Sequence, residues 1–370
     1  TFSRDTADYG IEGYYNSSLT GIDGRQYGYF SDDSNVEQTI IEASDGNSLE
    51  LSLDLGTQQI VEKWVNAFKE STGAKNIGVI VEDPSSGEIL AMDGGDRYDL
   101  NDPRNLSSLY SADEIAAMND SETMDALSAM WNNFCVTDIY EPGSVVKPIV
   151  MAAALEQGKI STSDTFYCDG YQNFGVPGNM TTIKCANIYG HGMETLAEVI
   201  ANSCNDAMMQ IAAKMGATTF TRYMDAFDFG QKTGIDLPGE ADAKGLVRSA
   251  SEMNSADLAT NSFGQNYNCS MIQMAAAYCS VINGGSYYEP HVVKQILNDQ
   301  GSVVKEVKPK LVRETVSEST SSFIKDALYR TVSEGTGKAA AVEGYEIAGK
   351  TGTAEKIPRS AKNYLLSFCG

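Results

Sequence analysis

The strand-like and helix-like segments of this chain follow an order that restricts its fold. Residues 77–82 and 88–92 are apolar runs around a Pro/Ser/Gly turn, which predicts a β-hairpin. Near the other end, residues 345–355 alternate loosely and residues 364–369 are apolar, so two further strands are predicted there. The stretch between them is dominated by helical patterns. This order predicts an α+β fold in which the first and last strands meet in one sheet.

Helical periodicity predicts helices at residues 56–70, 144–157, 194–215, 270–282 and 317–332. The fourth helix begins with a capping box formed by Ser270 and Gln273 and ends at a Gly-Gly pair. Residues 93–135 are interpreted as loop and short helices, and residues 1–50 as irregular structure with short strands.

The chain is strongly acidic, with 27 Lys+Arg, 50 Asp+Glu and a formal net charge of -23. This excess argues against nucleic-acid binding, because a phosphate backbone attracts a basic surface. It also argues against docking on an anionic membrane surface. Hydrophobic residues make up 42% of the chain, and no apolar run reaches the length of about 18 residues that a membrane-spanning helix needs. We therefore interpret the charge as a determinant of solubility.

The sequence also argues against a metal site. It contains 2 histidines far apart and 7 cysteines without a C-x-x-C pair, so no metal and no cofactor are predicted. A Ser-His-Asp triad would have to use one of these two histidines. Because the cysteines are odd in number and irregularly spaced, they do not predict a disulfide framework. A single disulfide stays an alternative.

Among three Ser-x-x-Lys patterns, Ser144–Lys147 has the context of a nucleophile. It follows a Pro-Gly turn, and Pro148 fits only the first turn of a helix. Ser144 is therefore predicted at a helix N-terminus, where free N–H groups favour a developing negative charge. The amine of Lys147 lies on the same face, and burial would let it accept the serine proton. The copies at Ser302 and Ser322 are interpreted as a hairpin and as a solvated helix face.

Two further motifs follow in the chain. Ser203-Cys204-Asn205 interrupts a helical pattern with small polar residues, which is typical either of a site or of satisfied buried side chains. Lys350-Thr351-Gly352 lies in a predicted strand, so that Lys350, Thr351 and Thr353 face a cleft. Residues 344–351 also match the P-loop expression, but no helix start follows them, which disfavours a nucleotide-binding loop.

Ser144-x-x-Lys147, Ser203-x-Asn205 and Lys350-Thr351-Gly352 occur in the order typical of penicillin-recognising serine enzymes. The chain resembles the class B penicillin-binding proteins, the peptidoglycan D,D-transpeptidases of division, elongation and sporulation. The resemblance extends to Tyr140-Glu141-Pro142-Gly143-Ser144, to Phe263-Gly264-Gln265 and to Gly335-Thr336-Gly337. It implies a penicillin-binding, β-lactamase-like domain with an antiparallel sheet flanked by helices and a mostly helical subdomain.

The resemblance implies a role for each motif residue. Ser144 attacks the carbonyl between the two terminal D-alanines of a stem peptide, and Lys147 is the general base. Ser203 and Lys350 return the proton to the leaving D-alanine, and Asn205 holds the substrate amide and orients Lys147. The backbone N–H groups of Ser144 and Thr353 form the oxyanion hole. Thr351, Gly352 and Thr353 bind the substrate, with the two hydroxyls on its carboxylate.

The resemblance also sets expectations for the protein's context. It implies stem peptides ending in D-Ala-D-Ala as substrates, β-lactams as covalent inhibitors, and a membrane glycan polymerase and divisome-type proteins as partners. The expected location is the cell membrane, with the catalytic domain outside the cytoplasm and the anchor absent from this chain. Residues 1–50 would be the end of a pedestal domain, and residues 51–370 a transpeptidase domain lacking its last strands and closing helix.

Three alternatives stay open at this stage. A β-lactamase or β-lactam sensor shares the same motifs, and a non-catalytic cell-wall scaffold can retain them. Cys168 and Cys185 precede the Ser203 motif, and they are either two buried thiols or a redox-controlled disulfide.

Overall fold

The computed structural model describes residues 9–30, 36–95 and 97–370. The helices among these residues are α1 Gly10–Tyr14, α2 Asn16–Leu19, α3 Leu55–Thr72, α4 Ala112–Ala117, α5 Asp120–Trp131, α6 Phe134–Thr137, α7 Lys147–Glu156, α8 Leu196–Ala201, α9 Asn205–Met215, α10 Ala217–Ala226, α11 Ser255–Asn261, α12 Met271–Ile282 and α13 Glu318–Ser333.

The strands are short and alternate with these helices. They are β1 Arg25–Phe30, β2 Val36–Ile41, β3 Ser48–Leu51, β4 Val79–Glu82, β5 Ile89–Asp93, β6 Ile139–Tyr140, β7 Thr165–Cys168, β8 Tyr171–Val176, β9 Asn179–Lys184, β10 Gly192–Thr195, β11 Cys269–Ser270, β12 Ser286–Tyr288, β13 Val293–Leu297, β14 Val303–Glu306, β15 Leu311–Glu314, β16 Lys350–Glu355 and β17 Tyr364–Cys369.

All named strand pairs among the described residues are antiparallel. The three-stranded sheet has the order β14-β13-β3, and the other strands form pairs such as β4-β5, β7-β10, β8-β9 and β16-β17. The prediction that the first and last strands meet in one sheet is therefore wrong for these residues. Each terminal hairpin is closed by its own turn, and no described strand joins β4-β5 to β16-β17.

The core of the mostly helical part surrounds α7. This helix is apolar on nearly every side, and residues 147–154 are all buried because α9, α10, α12 and α13 pack around it. A helix that is apolar all round can only be stable in the interior. The consequence for the site is that the N-terminus of α7 is held rigidly by its neighbours.

The predicted helices are confirmed within a few residues. The capping box of α12 is present with both of its hydrogen bonds, and the predicted helix over residues 194–215 is divided into α8 and α9 at the Ser203 motif. The predicted strand over 345–355 is right only for Lys350–Glu355. Before it, Gly344 has a φ of +85° and Tyr345 N–H donates to Val342 O at 3.2 Å, so a turn replaces the strand.

The predicted domain boundary at residue 50 stays a prediction, and residues 1–8 and 31–35 of its first part lie outside the described residues. In the described part, β3 spans this boundary and pairs with β13. None of the described helices is both long and apolar enough to cross a membrane.

Candidate active site

The segment before α7 is a tight turn that presents Ser144. Pro142 precedes a 3₁₀ turn over Gly143–Val146, and α7 begins at Lys147 with a proline in its first turn. Gly143 has a φ of +64°, a left-handed conformation that only glycine adopts cheaply. Its N–H donates to Gly264 O at 2.8 Å. The half-buried Ser144 therefore lies at the N-terminal end of a fixed helix, as predicted.

Lys147 is completely buried and its amine has three acceptors. Nζ donates to Ser203 O at 2.6 Å, to Ser203 Oγ at 3.0 Å and to Asn205 Oδ1 at 2.6 Å. Burial lowers the pKa of Lys147 from 10.5 to about 8, and the nearby Cys204, Cys185 and Glu194 partly oppose that shift. A lysine in this environment can exchange a proton near neutral pH.

The backbone between α8 and α9 is shaped so that it faces this amine. Ser203 has a φ of +56°, which is uncommon for a residue other than glycine. This conformation belongs to the break that turns both Ser203 O and Ser203 Oγ towards Lys147. Cys204 then caps α9 by accepting from Ala207 N–H. The break that divides the predicted helix over residues 194–215 is therefore the feature that builds this side of the site.

Strand β16 forms the opposite wall. A Cβ on Gly352 would lie 3.0 Å from Val145 Cγ1 and 3.2 Å from Pro142 O, so glycine allows the strand to approach the nucleophile turn. Lys350 is fully buried, and its Nζ donates to Thr351 O at 3.0 Å. Burial, together with the charge of Lys147, lowers the pKa of Lys350 to about 7.

The sequence analysis missed the contacts that join the two walls. Thr351 Oγ1 donates to Thr336 Oγ1 at 3.1 Å, and Thr336 N–H donates to Ala201 O at 3.0 Å, which connects β16 to the end of α8. On the other side, Arg359 Nη2 lies 3.3 Å from the carboxylate of Glu141. The Gly335-Thr336-Gly337 motif and the position of Glu141 beside the nucleophile turn were the available signals.

The structure brings most of the predicted site residues together. Lys147, Ser203 and Asn205 are joined by hydrogen bonds, and β16 packs against the turn that carries Ser144. Lys350 is close enough for its pKa to respond to the charge of Lys147. Thr353 is exposed beside the turn, and a Cβ on Gly143 would lie 2.9 Å from Thr353 O. This is the arrangement of an acyl-transfer site: a hydroxyl at a helix N-terminus, a buried amine, and a strand edge facing both.

The second unexpected feature is a group of four donor side chains beside the Ser203 motif. Cys168, Cys185, His191 and Cys204 place one ligand atom each within 4.8 Å of all the others. The sequence argument against a metal site relied on spacing along the chain, which does not show that these four side chains meet in space. The pairing of β7 with β10 sets Gly192 opposite Cys168, so His191 and Cys168 become neighbours in space. All seven cysteines are free.

Comparison with known proteins agrees with this geometry. The family profile described as the penicillin binding protein transpeptidase domain matches residues 77–370. The stage V sporulation protein D of Bacillus subtilis is 32% identical over 98% of this chain and 53% of its own length. The peptidoglycan D,D-transpeptidase MrdA of Escherichia coli is 28% identical over 95% of this chain and 55% of its own.

A solved structure of penicillin binding protein 3 from Mycobacterium tuberculosis, complexed with aztreonam, superposes with a TM-score of 0.73. It is 27% identical, and the match covers 88% of this chain and 70% of that one. The chain therefore belongs to the penicillin-binding protein transpeptidase family. It spans about half the length of the curated relatives that it matches.

Proposed function

We propose that this chain is the catalytic part of a serine peptidoglycan D,D-transpeptidase that β-lactams acylate. The observation that carries the proposal is the buried amine of Lys147, three residues after Ser144 and hydrogen-bonded to Ser203 and Asn205. Membership of the family supports it, as do the relatives named D,D-transpeptidase.

The proposed reaction has two acyl transfers. Ser144 Oγ attacks the carbonyl between two terminal D-alanines, and its proton passes to Lys147. The peptide C–N bond then breaks, and the departing amine takes a proton through Ser203 and Lys350. An amine of a second stem peptide attacks the resulting ester and releases Ser144. The backbone N–H groups of Ser144 and Thr353 are the proposed oxyanion donors, each contributing about 3–4 kcal/mol where such donors have been measured.

The substrate contacts and the setting are part of the same proposal. The carboxylate of the terminal D-alanine would lie on Thr351, Gly352 and Thr353, near the charge of Lys350. The proposed setting is the outer side of a cell membrane, with a glycan polymerase and divisome-type proteins as partners. Residues 1–50 are proposed as the end of a pedestal domain. The solved complex of the relative with aztreonam supports β-lactams as ligands.

The test is the intact mass of the protein after incubation with benzylpenicillin. We expect one added penicilloyl group in the wild type and none in Ser144→Ala, with circular dichroism confirming that both are folded. Ser302→Ala is a matched control, because Ser302 begins the same Ser-x-x-Lys pattern in the turn before β14. An unmodified, folded wild type would overturn the proposal in favour of a scaffold, and rapid turnover of nitrocefin would favour a β-lactamase.

A further inference from the structure

Thr336 lies outside the three motifs of the proposed reaction, but its hydroxyl contacts one of them. Its Oγ1 accepts a hydrogen bond from Thr351 Oγ1 at 3.1 Å. Thr336 is exposed and Thr351 is half-buried, so both lie where a ligand can reach them. In the part of the chain that the structure describes, the Thr336 hydroxyl makes no other hydrogen bond. Its own proton is therefore available to a new acceptor.

The turn that carries Thr336 is fixed by two helices. The N–H groups of Gly335 and Gly337 donate to Thr331 O, near the end of α13, at 3.1 Å and 2.9 Å. Thr336 N–H donates to Ala201 O, at the end of α8, at 3.0 Å. A Cβ on Gly335 would lie 2.4 Å from Ala201 O, so this close approach requires glycine. The fold therefore sets the position of the Thr336 hydroxyl beside β16.

The hydrogen bond between the two hydroxyls runs in the direction opposite to the one that substrate binding needs. A hydroxyl has one proton to donate and two lone pairs that accept, whereas an ionised carboxylate only accepts. Thr351 gives its proton to Thr336. Thr351 can donate to the carboxylate of the terminal D-alanine only when that proton turns away from Thr336. Thr336 can then donate to Thr351 instead.

We propose that Thr336 is a positioning residue that acts on the substrate carboxylate through Thr351. This inference rests on the proposed function of the site. When the carboxylate binds, Thr336 donates to Thr351 Oγ1 and Thr351 donates to the carboxylate, by rotation of the two hydroxyls and without any covalent step. Hydrogen bonds in such a chain strengthen one another, and a bond to an ionised acceptor is stronger than a bond to a neutral one.

The other groups on β16 do not orient the Thr351 hydroxyl. Lys350 Nζ donates to the backbone oxygen of Thr351 at 3.0 Å, and the Lys350 side chain is fully buried. Alternate residues of a strand share a face, so Thr353 lies beside Thr351. The Thr353 hydroxyl has no hydrogen-bond partner among the described residues. Only one of the two hydroxyls proposed for the carboxylate is thus supported from behind, and loss of Thr336 should weaken binding without abolishing it.

The test compares benzylpenicillin with its methyl ester, in which the carboxylate is replaced by an uncharged group. Thr336→Val exchanges the hydroxyl for a methyl group of the same shape. We expect its second-order rate constant for acylation by benzylpenicillin to fall about three- to tenfold, the size of one hydrogen bond. Its rate constant for the methyl ester should stay close to that of the wild type. Thr336→Ser keeps the hydroxyl and should restore the rate with benzylpenicillin.

A double-mutant cycle tests the route through Thr351. Thr351→Val should lower the rate constant for benzylpenicillin, and the addition of Thr336→Val should lower it no further, because the chain is already broken. Thr72→Val is the matched control. Thr72 is exposed, and its hydroxyl donates to Phe68 O within α3 at 2.7 Å. This variant should leave both rate constants unchanged, and circular dichroism should show that every variant is folded.

Three results would overturn the inference about Thr336 and leave the proposed function in place. The first is acylation of Thr336→Val by benzylpenicillin as fast as the wild type. The second is an equal fall with benzylpenicillin and its methyl ester, because a purely structural role of the turn would affect both. The third is a double variant whose loss is the product of the two single losses, since the two hydroxyls would then act independently. A folded wild type that benzylpenicillin does not acylate would instead overturn the proposed function itself.

Discussion

The amine of Lys147 lies 2.6 Å from Asn205 Oδ1, a distance typical of a strong, charge-assisted hydrogen bond. Together with the two oxygens of Ser203, this contact uses all three protons of a charged lysine. The neutral amine has one proton fewer and a free lone pair. Deprotonation therefore releases one of these acceptors and gives the amine the lone pair that the proposed proton transfer from Ser144 requires.

The rate of acylation should depend on pH through the two buried lysines. With its pKa lowered from 10.5 to about 8, Lys147 is neutral in about a tenth of the molecules at pH 7, against about one in three thousand for an exposed lysine. The rate should thus rise as Lys147 loses its proton, and fall as Lys350, with a pKa of about 7, loses its charge.

The expected profile is a bell with its maximum between these two values, measured as the second-order rate constant for benzylpenicillin. An unchanged rate from about pH 6 to about pH 9 would mean that neither amine titrates during the reaction.

A carboxylate in place of the Asn205 amide should lower that profile and move its falling limb to higher pH, because Lys147 has the higher pKa of the two amines. In Asn205→Asp an opposite charge lies beside Lys147 Nζ and raises its pKa by a unit or more. Acylation at pH 7 should fall by about tenfold or more, and the deficit relative to the wild type should narrow as pH rises, because the falling limb of the variant lies at higher pH. Asn298→Asp, in the turn between β13 and β14, adds the same charge far from the site and should leave the profile unchanged. A low rate in Asn205→Asp with no shift of the falling limb would assign Asn205 a role in substrate binding alone.

Gly264 should be required for the position of the nucleophile turn. It has a φ of +85°, and a Cβ there would collide with the backbone of Gly143, which donates its N–H to Gly264 O. We expect Gly264→Ala to lower acylation by Ser144 about tenfold or more, because small displacements of a reacting group are costly.

Gly245→Ala separates this collision from backbone strain. Gly245 has a φ of +87° with no atom within 4 Å of the added Cβ, so only the strain of about 1–3 kcal/mol remains. The free energy of unfolding of the Gly245→Ala protein should fall, while its acylation by benzylpenicillin stays normal. If Gly264→Ala is acylated as fast as Gly245→Ala, the turn that carries Ser144 tolerates displacement.

The parts of the site that follow local rules could be predicted from the sequence. The capping box at Ser270 and the proline after Lys147 act within one helical turn, so their helices begin where the pattern places them. The small polar residues of the Ser203 motif interrupt the apolar pattern at the point where the structure divides the predicted helix into α8 and α9. These local features position Ser144, Lys147 and Asn205. The order of the three family motifs then predicted that these residues belong to one site.

The parts that depend on distant pairing could not be predicted. The hairpin of β8 and β9 lies in a stretch interpreted as helix-rich, and the pairing of β7 with β10 has no short-range signal. Only these pairings bring His191 to Cys168, which is why spacing along the chain did not reveal the donor group. The contact between Arg359 and Glu141 joins residues more than two hundred positions apart and is invisible for the same reason.

The half-buried Glu82 on β4 should make the stability of the protein depend on pH. Its Oε2 is buried without a hydrogen-bond partner, and burial raises the pKa of Glu82 from 4.5 to about 8. Between these values the folded state keeps a proton that the unfolded chain has released. The contribution of protonated Glu82 to the free energy of unfolding is therefore complete below its pKa in the unfolded chain, 4.5. It is lost as pH rises to its pKa in the folded protein, about 8, at up to about 1.4 kcal/mol per pH unit.

Glu82→Gln should remove this dependence, because the amide keeps the shape of the protonated acid and does not titrate. Urea unfolding at about pH 5 and about pH 8 should show a smaller loss of stability in the variant than in the wild type, by as much as a few kcal/mol. Glu70→Gln, at an exposed position on α3, is the matched control and should follow the wild type. If Glu82→Gln and the wild type lose the same stability between these two pH values, Glu82 is ionised in the folded protein, with water or Cys279 as its partner.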